Sequence, residues 1–314
     1  MVKNSIADTY YLRCLLIAIS FLISMSSYSQ DSLPNKKTIE YITIDTTILK
    51  MDIYGLNGDT TKKPCIIFMF GGGFIGGARD AKKYMNYINL LIRNHFIVAS
   101  IDYRLGMKGK HVSALNTTPL KNAINLAVND LFSATNYILK NATLYNIDST
   151  KIILSGSSSG AISVMTGEWE KSNSTKNAKA LPPNFNYAGV ISFAGAIFST
   201  SGKPSYKIAP PPIMMFHGTD DKLVFYKQKR FLNKGIFGSA SLAGVYKKNK
   251  YPYYFQSVVG MGHEVAETPM NENQNDIIWF INQYIFNKKK YMMEVKFDDP
   301  EAIRTFTKSA KDIY

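Results

Sequence analysis

The stretch Lys151–Val164, KIILSGSSSGAISV, admits few backbone solutions. An apolar run, Ile152-Ile153-Leu154, leads into residues that are only Ser and Gly, from Ser155 to Gly160. A helix-like pattern resumes at Ala161. The order is strand, tight turn, helix. Within it, Gly156-Ser157-Ser158-Ser159-Gly160 fits G-x-S-x-G with Ser158 at the centre. A buried strand that reverses sharply into a helix leaves no room for side chains beside the turn, and flanking glycines relieve that crowding. The central residue is pushed out at the C-terminal end of the strand. Its hydroxyl then sits at a helix N-terminus, where N–H groups favour developing negative charge. Alone, the pentapeptide is more often a Ser/Gly surface turn, because Ser and Gly are common, so its meaning depends on whether an acid and a base stand at other strand ends.

The patterns around it alternate between strand and helix from Cys65 to Phe286. Strands are expected as an antiparallel pair within 40–55, then at Cys65–Phe70, His95–Tyr103, Tyr187–Gly195, Pro212–Phe216 and Tyr253–Val259. Helices are expected at about Ala81–Asn94, Pro119–Lys140 and Tyr226–Phe237, with a last one carrying Ile277, Phe280, Ile281, Tyr284 and Ile285. This alternation implies an α/β architecture: a mostly parallel central sheet with helices on both faces. With 314 residues, 46% of them hydrophobic, the chain can bury one large core. The expected domain is 30–314, with a core at about 40–287 and a charged tail, 288–314, to which the sequence gives no role. The loops Gly106–Thr118 and Ser172–Asn186 are expected to shape a pocket. Trp169 reads equally as pocket wall or helix packing, and Glu168 and Glu170 are expected to face water.

Residues 1–29 have the form of a signal peptide. Lys3 and Arg13 precede the short apolar run Cys14–Ile23, and Ser27 and Ser29 flank Tyr28 in an A-x-A-like site. Cleavage is expected after Ser29, and the protein is expected to be exported, periplasmic or secreted. The rival, an uncleaved anchor, suffers from an apolar run too short to span comfortably. Without the leader, Cys65 is the one cysteine left, so no intramolecular disulfide can form, and a buried, inert thiol is expected. The net charge is +14. The lysines are scattered, with no aromatic platform between them, which argues against nucleic acid as a partner.

A serine hydroxyl needs a base to take its proton and a third group to orient that base. In an open parallel sheet such groups gather at the C-terminal ends of strands. Three candidates lie there. Gly71-Gly72-Gly73 follows a core strand, and the N–H groups of Gly72 and Gly73, with that of Ser159, could bind an oxyanion. His217-Gly218-Thr219-Asp220-Asp221 follows Pro212–Phe216; Asp221 is the preferred orienting acid and Asp220 the alternative, with His217 shaping the turn. Gly260-Met261-Gly262-His263 follows the last core strand, and His263 is the expected general base. His95 reads as structural and His111 as facing solvent.

The order Ser158, Asp221, His263 is that of the α/β-hydrolase fold. Across roughly 40–287 the chain resembles an α/β-hydrolase esterase of the carboxylesterase and esterase/lipase group. Phe70-Gly71-Gly72-Gly73-Phe74-Ile75-Gly76-Gly77 is similar to the oxyanion loop of that group, with Phe70 where His or Tyr is usual. Asp102-Tyr103-Arg104-Leu105 is similar to its structural D-Y-R-L stretch. The resemblance implies hydrolysis of a carboxylic ester through an acyl-enzyme, without metal or organic cofactor. Together with export it suggests a small-molecule or carbohydrate-linked ester, such as the acetyl or feruloyl esters of plant polysaccharides. A short-chain carboxylesterase is the close alternative. A peptidase of the prolyl oligopeptidase type shares the fold, but no propeller is present. A catalytically idle binding module would lack a member of the triad, and none is missing.

Overall fold

Two alternating runs at the start of the core pair as an antiparallel hairpin, β1 (Lys36–Ile44) and β2 (Thr47–Tyr54). Residues 34–58, 60–113 and 116–313 are described by the computed structural model. The leader expected at 1–29 lies outside them. From Asn35 onward the described residues form one compact unit.

After the hairpin come β3 (Lys63–Met69), α1 (Met85–Arg93), β4 (Ile97–Ile101) and α2 (Thr118–Lys140). Then follow β5 (Ile147–Ser157), α3 (Ser159–Ser172), β6 (Gly189–Phe193), β7 (Ala196–Ser199) and β8 (Ile213–Gly218). The chain continues through β9 (Gln228–Phe231), β10 (Lys234–Gly238), α4 (Ser239–Asn249), β11 (Tyr253–Val258), α5 (Pro269–Glu272), α6 (Gln274–Phe280) and β12 (Met292–Phe297). A π-helical stretch, Ile281–Phe286, continues α6.

Nine strands form the central sheet in the order β1-β2-β4-β3-β5-β6-β8-β11-β12. The β1 and β2 edge is antiparallel, and every pair from β4 to β12 is parallel. Parallel strands need crossover helices, which cover the sheet and bury it. Every residue of β4 (IVASI) and of β6 (GVISF) is accordingly buried, Ser100 and Ser192 included. Cys65 in β3 is wholly buried, and burial pushes its thiol up to about 12.

Two stretches differ from the sequence expectation. Tyr226–Phe237 is not a helix: β9 and β10 form a hairpin that pairs with β7 in a separate three-stranded antiparallel sheet. Its turn is Leu232-Asn233, with Leu232 at φ 52°. Helix-forming Lys, Gln and Arg fill β9, but all four of its residues are exposed, so no buried face ever selected a helical period. The tail does have a role in the fold: β12 extends the sheet beside β11, with Tyr253 opposite Met292 and Val258 opposite Phe297. The alternation Met293, Val295, Phe297 within MMEVKF is the strand signal there.

Candidate active site

Where β5 ends, the chain turns through Ser158 at φ 51° and ψ −117° and enters α3. Both flanking glycines are required. A Cβ on Gly156 would lie 2.5 Å from the Gly160 carbonyl carbon, and one on Gly160 would lie 2.1 Å from the Met69 carbonyl oxygen. The Ser158 amide donates to Phe193 O at 2.8 Å and its carbonyl accepts from Ile162 N at 2.9 Å. The turn is thus clamped to β6 on one side and to the first turn of α3 on the other.

The structure brings Ser158, His263 and Asp221 together. Ser158 Oγ lies 2.7 Å from His263 Nε2. His263 Nδ1 lies 2.7 Å from Asp221 Oδ2. All three are buried. Asp221 Oδ1 accepts from the amides of Leu223 and Val224, each at 2.9 Å. Burial acts to raise the Asp221 carboxyl, but hydrogen bonds from His217 and His263 outweigh it and hold the group well below the usual carboxylate range. An ionised carboxylate only accepts, so the His263 proton sits on Nδ1 and Nε2 is left to accept from the serine.

His217 is wholly buried. Its Nε2 faces Val224 O at 2.8 Å, which can only accept, so Nε2 carries a proton, and Asp221 Oδ2 lies 3.4 Å away. Its Nδ1 lies 2.8 Å from Ser239 Oγ. It ties β8 to the acid loop, in line with the turn-shaping role expected of it. Asp220, the alternative acid, is exposed and pairs with Arg304. His95 and His111 are both exposed.

The glycine loop lies against the serine. A Cβ on Gly71 would be 3.1 Å from Ser158 Cβ, and the Gly71 amide donates to Tyr84 Oη at 2.9 Å. Gly72 (φ 146°) and Gly73 (φ 64°) carry the chain back, with Gly72 O accepting from the amides of Ile75 and Gly76. Phe70 is buried and stacks on Tyr103, ring centroids 4.5 Å apart. The Tyr103 hydroxyl donates to Phe70 O at 2.8 Å and lies 3.2 Å from Ser159 Oγ. Phe70 and Tyr103 therefore fix the loop to the start of α3. Arg104 makes a multidentate pair with the buried carboxylate of Asp130.

A cavity of about 710 Å³ opens on Ser158 and Ser159. Val112, Leu120, Ile162, Phe198 and Ile236 give it an apolar lining. Val112, Ser113 and Thr117 come from the first expected loop. The second, Ser172–Asn186, contributes no lining residue. The reason is geometric: α3 starts at the serine, so its far end lies about 20 Å away at 1.5 Å per residue. Trp169, near that end, packs against the core and donates from Nε1 to Ser205 O at 2.9 Å. Glu168 and Glu170 do not face water; both are buried. Burial pushes Glu168 up to about 8, and it accepts from the Ser172 hydroxyl.

Sequence reasoning missed the brace behind the histidine. Glu264 Oε1 accepts from Gly262 N at 2.7 Å, and its Oε2 accepts from Phe306 N at 3.1 Å. The Phe306 ring sits edge-on to the His263 imidazole, centroids 5.2 Å apart. Arg304 Nε donates to Gly260 O at 2.9 Å. The tail thus grips both ends of the histidine loop. Only the aromatic and arginine in RTF, 304–306, hinted at it.

Residues 51–198 match the BD-FAE family model, a little under half of the chain. That stretch is similar to the BD-FAE family, an α/β-hydrolase esterase family. The matched stretch holds the glycine loop and Ser158; the match ends before Asp221 and His263. The whole α/β-hydrolase is similar in fold to solved esterases at low identity. One is a thermophilic esterase of the Planctomycetes species Thermogutta terrifontis, Est2, with TM-score 0.59, 17% identity, and 81% of this chain and 94% of that one covered. Esterase 2 of Thermogutta terrifontis phosphonylated by cyclosarin gives TM-score 0.60 at 17% identity, with 81% and 96% covered. Est2 with butyrate bound gives TM-score 0.57 at 17% identity, with 80% and 95% covered. No curated protein matches the chain in sequence.

Proposed function

We propose that this α/β-hydrolase is a serine carboxylic-ester hydrolase working through an acyl-enzyme. One observation carries the reading: the unbroken line Ser158 Oγ–His263–Asp221, with both links at 2.7 Å. Ser158 attacks the ester carbonyl while His263 Nε2 takes its proton. Asp221 holds the imidazolium that forms. The amides of Gly72, Gly73 and Ser159 stabilise the tetrahedral oxyanion. His263 then returns the proton to the leaving alcohol, and water repeats the sequence on the acyl-enzyme.

A cavity of this size and apolar lining suits an ester with a bulky apolar or aromatic part. Acetyl or feruloyl esters of plant polysaccharides are the proposed substrates, reached after export and removal of residues 1–29. Ser158→Ala is expected to lower turnover of p-nitrophenyl acetate by at least about 10³-fold. A fluorophosphonate probe should label the parent protein and not that variant. Near-parental turnover or labelling in Ser158→Ala would defeat the assignment. Acetylated xylan and methyl ferulate, assayed beside short p-nitrophenyl esters, test the substrate class. Export is checked by intact mass of the secreted protein, which should begin at Gln30.

A further inference from the structure

The mouth of the cavity above Ser158 is charged in one sense only. Lys229, Arg230 and Lys234 reach it from the β9–β10 hairpin and Lys311 from the C-terminal tail, while no carboxylate lines it. Among the described residues none of the four makes an ion pair. The carboxylates nearby in sequence are engaged elsewhere. Asp312 accepts from the amide and hydroxyl of Ser309, each at 2.7 Å, and feels the charge of Lys311 without forming an ion pair with it. Asp221 faces His263, and Glu264 faces the amides of Gly262 and Phe306. The hairpin register sets Lys229, opposite Ile236, and Lys234, opposite Phe231, on one face, with Arg230, opposite Gly235, on the other, while Lys229 Nζ stands 4.9 Å over the Phe225 ring.

The floor of the same cavity is apolar, with Ile162, Phe198 and Val224 beside the serine. A substrate that fits both parts has a neutral reacting end and an anionic group further out. We infer that this esterase selects esters bearing an anionic group, a carboxylate or sulfonate-like charge set away from the scissile bond. The inference rests on the serine-esterase reading and adds the charge class of its substrate. Like-signed charges in a low-dielectric cleft concentrate an oppositely charged ligand and speed its capture, typically 10-fold or more at low salt. Salt shortens the reach of that field, to about 3 Å at 1 M.

The test uses the full protein and three acetyl esters of matched shape: 4-acetoxybenzoate, its neutral methyl ester and 4-acetoxybenzenesulfonate. Each kcat/KM is divided by the rate of the same ester in buffer alone. At low salt the normalised values for the anions should exceed that of the neutral ester by about 10-fold. The excess should fall to within about twofold in 1 M NaCl. It should fall likewise in the triple variant Lys229→Gln, Arg230→Gln, Lys234→Gln. Lys179→Glu, on an exposed turn away from the cavity, should leave the ratio unchanged and so separates the rim from net charge. Preference for both anions marks any anionic group, and preference for the carboxylate alone marks a carboxylate; either supports the inference. A parental ratio near one, or a preference that survives both salt and the triple variant, overturns it. Failure of the neutral ester to turn over in a Ser158-dependent way would instead overturn the esterase reading itself.

Discussion

Ser158 occupies a region of backbone space that a residue with a side chain seldom enters, at φ 51° and ψ −117°. Such a conformation costs on the order of 1–3 kcal/mol and persists because surrounding structure over-determines it. Here the clamp is steric. Gly160→Ala would drive a methyl into the Met69 carbonyl, 2.1 Å away, so a loss of at least about 2 kcal/mol in urea unfolding is expected. Asp221→Asn should lower kcat by about 10⁴-fold with little change in fold, because an amide no longer fixes the proton on Nδ1. Steady-state kinetics with circular dichroism would check both halves of that statement. Glu168 gives a pH effect on stability. Its carboxyl titrates near 8 when folded, against about 4.5 in the free side chain. The unfolded chain therefore releases this proton first as pH rises, and stability falls between those two values. Urea unfolding at pH 5 and pH 8 should show a steeper fall for the parent than for Glu168→Gln.

Among the elements, the histidine loop and the C-terminal tail act as one piece. Phe306 contacts the imidazole, and Glu264 joins Gly262 to the Phe306 amide. Phe306→Ala should lower kcat for a neutral ester by about 10-fold, since small misplacements of a catalytic group are costly. Thermal unfolding should move little, because the residue stands outside the core. A loss of stability as large as the loss of rate would mark Phe306 as a packing residue alone. The parallel strands were legible because, buried on both faces, they are predominantly apolar runs, unbroken at Cys65–Met69 and interrupted only by Ser100 at Ile97–Ile101. Ser158, Asp221 and His263 could be nominated because few residue types do this chemistry and each candidate follows a core strand. The β9–β10 hairpin escaped because its first strand has no buried face to impose a period of two. Glu264 and Phe306 escaped because a brace is defined by what it touches, and nothing in the spacing of 264 and 306 announces that contact.

Over the whole molecule, the sheet collects the site from widely separated parts of the chain. Ser158 leaves β5, Asp221 leaves β8 and His263 follows β11, three strands that lie within four neighbouring positions of the sheet. The separate β7-β10-β9 sheet and the tail then build walls over that edge, and they supply the cations of the rim. Scaffold and specificity are thus encoded apart: the sheet fixes where bonds break, and the late additions fix what reaches them. The brace on His263 also bears on how the protein is made. Phe306 is made only after all three reacting residues, so a chain cut short before it would carry every group of the triad yet hold its imidazole without the edge-on ring and the Glu264 bridge that support it.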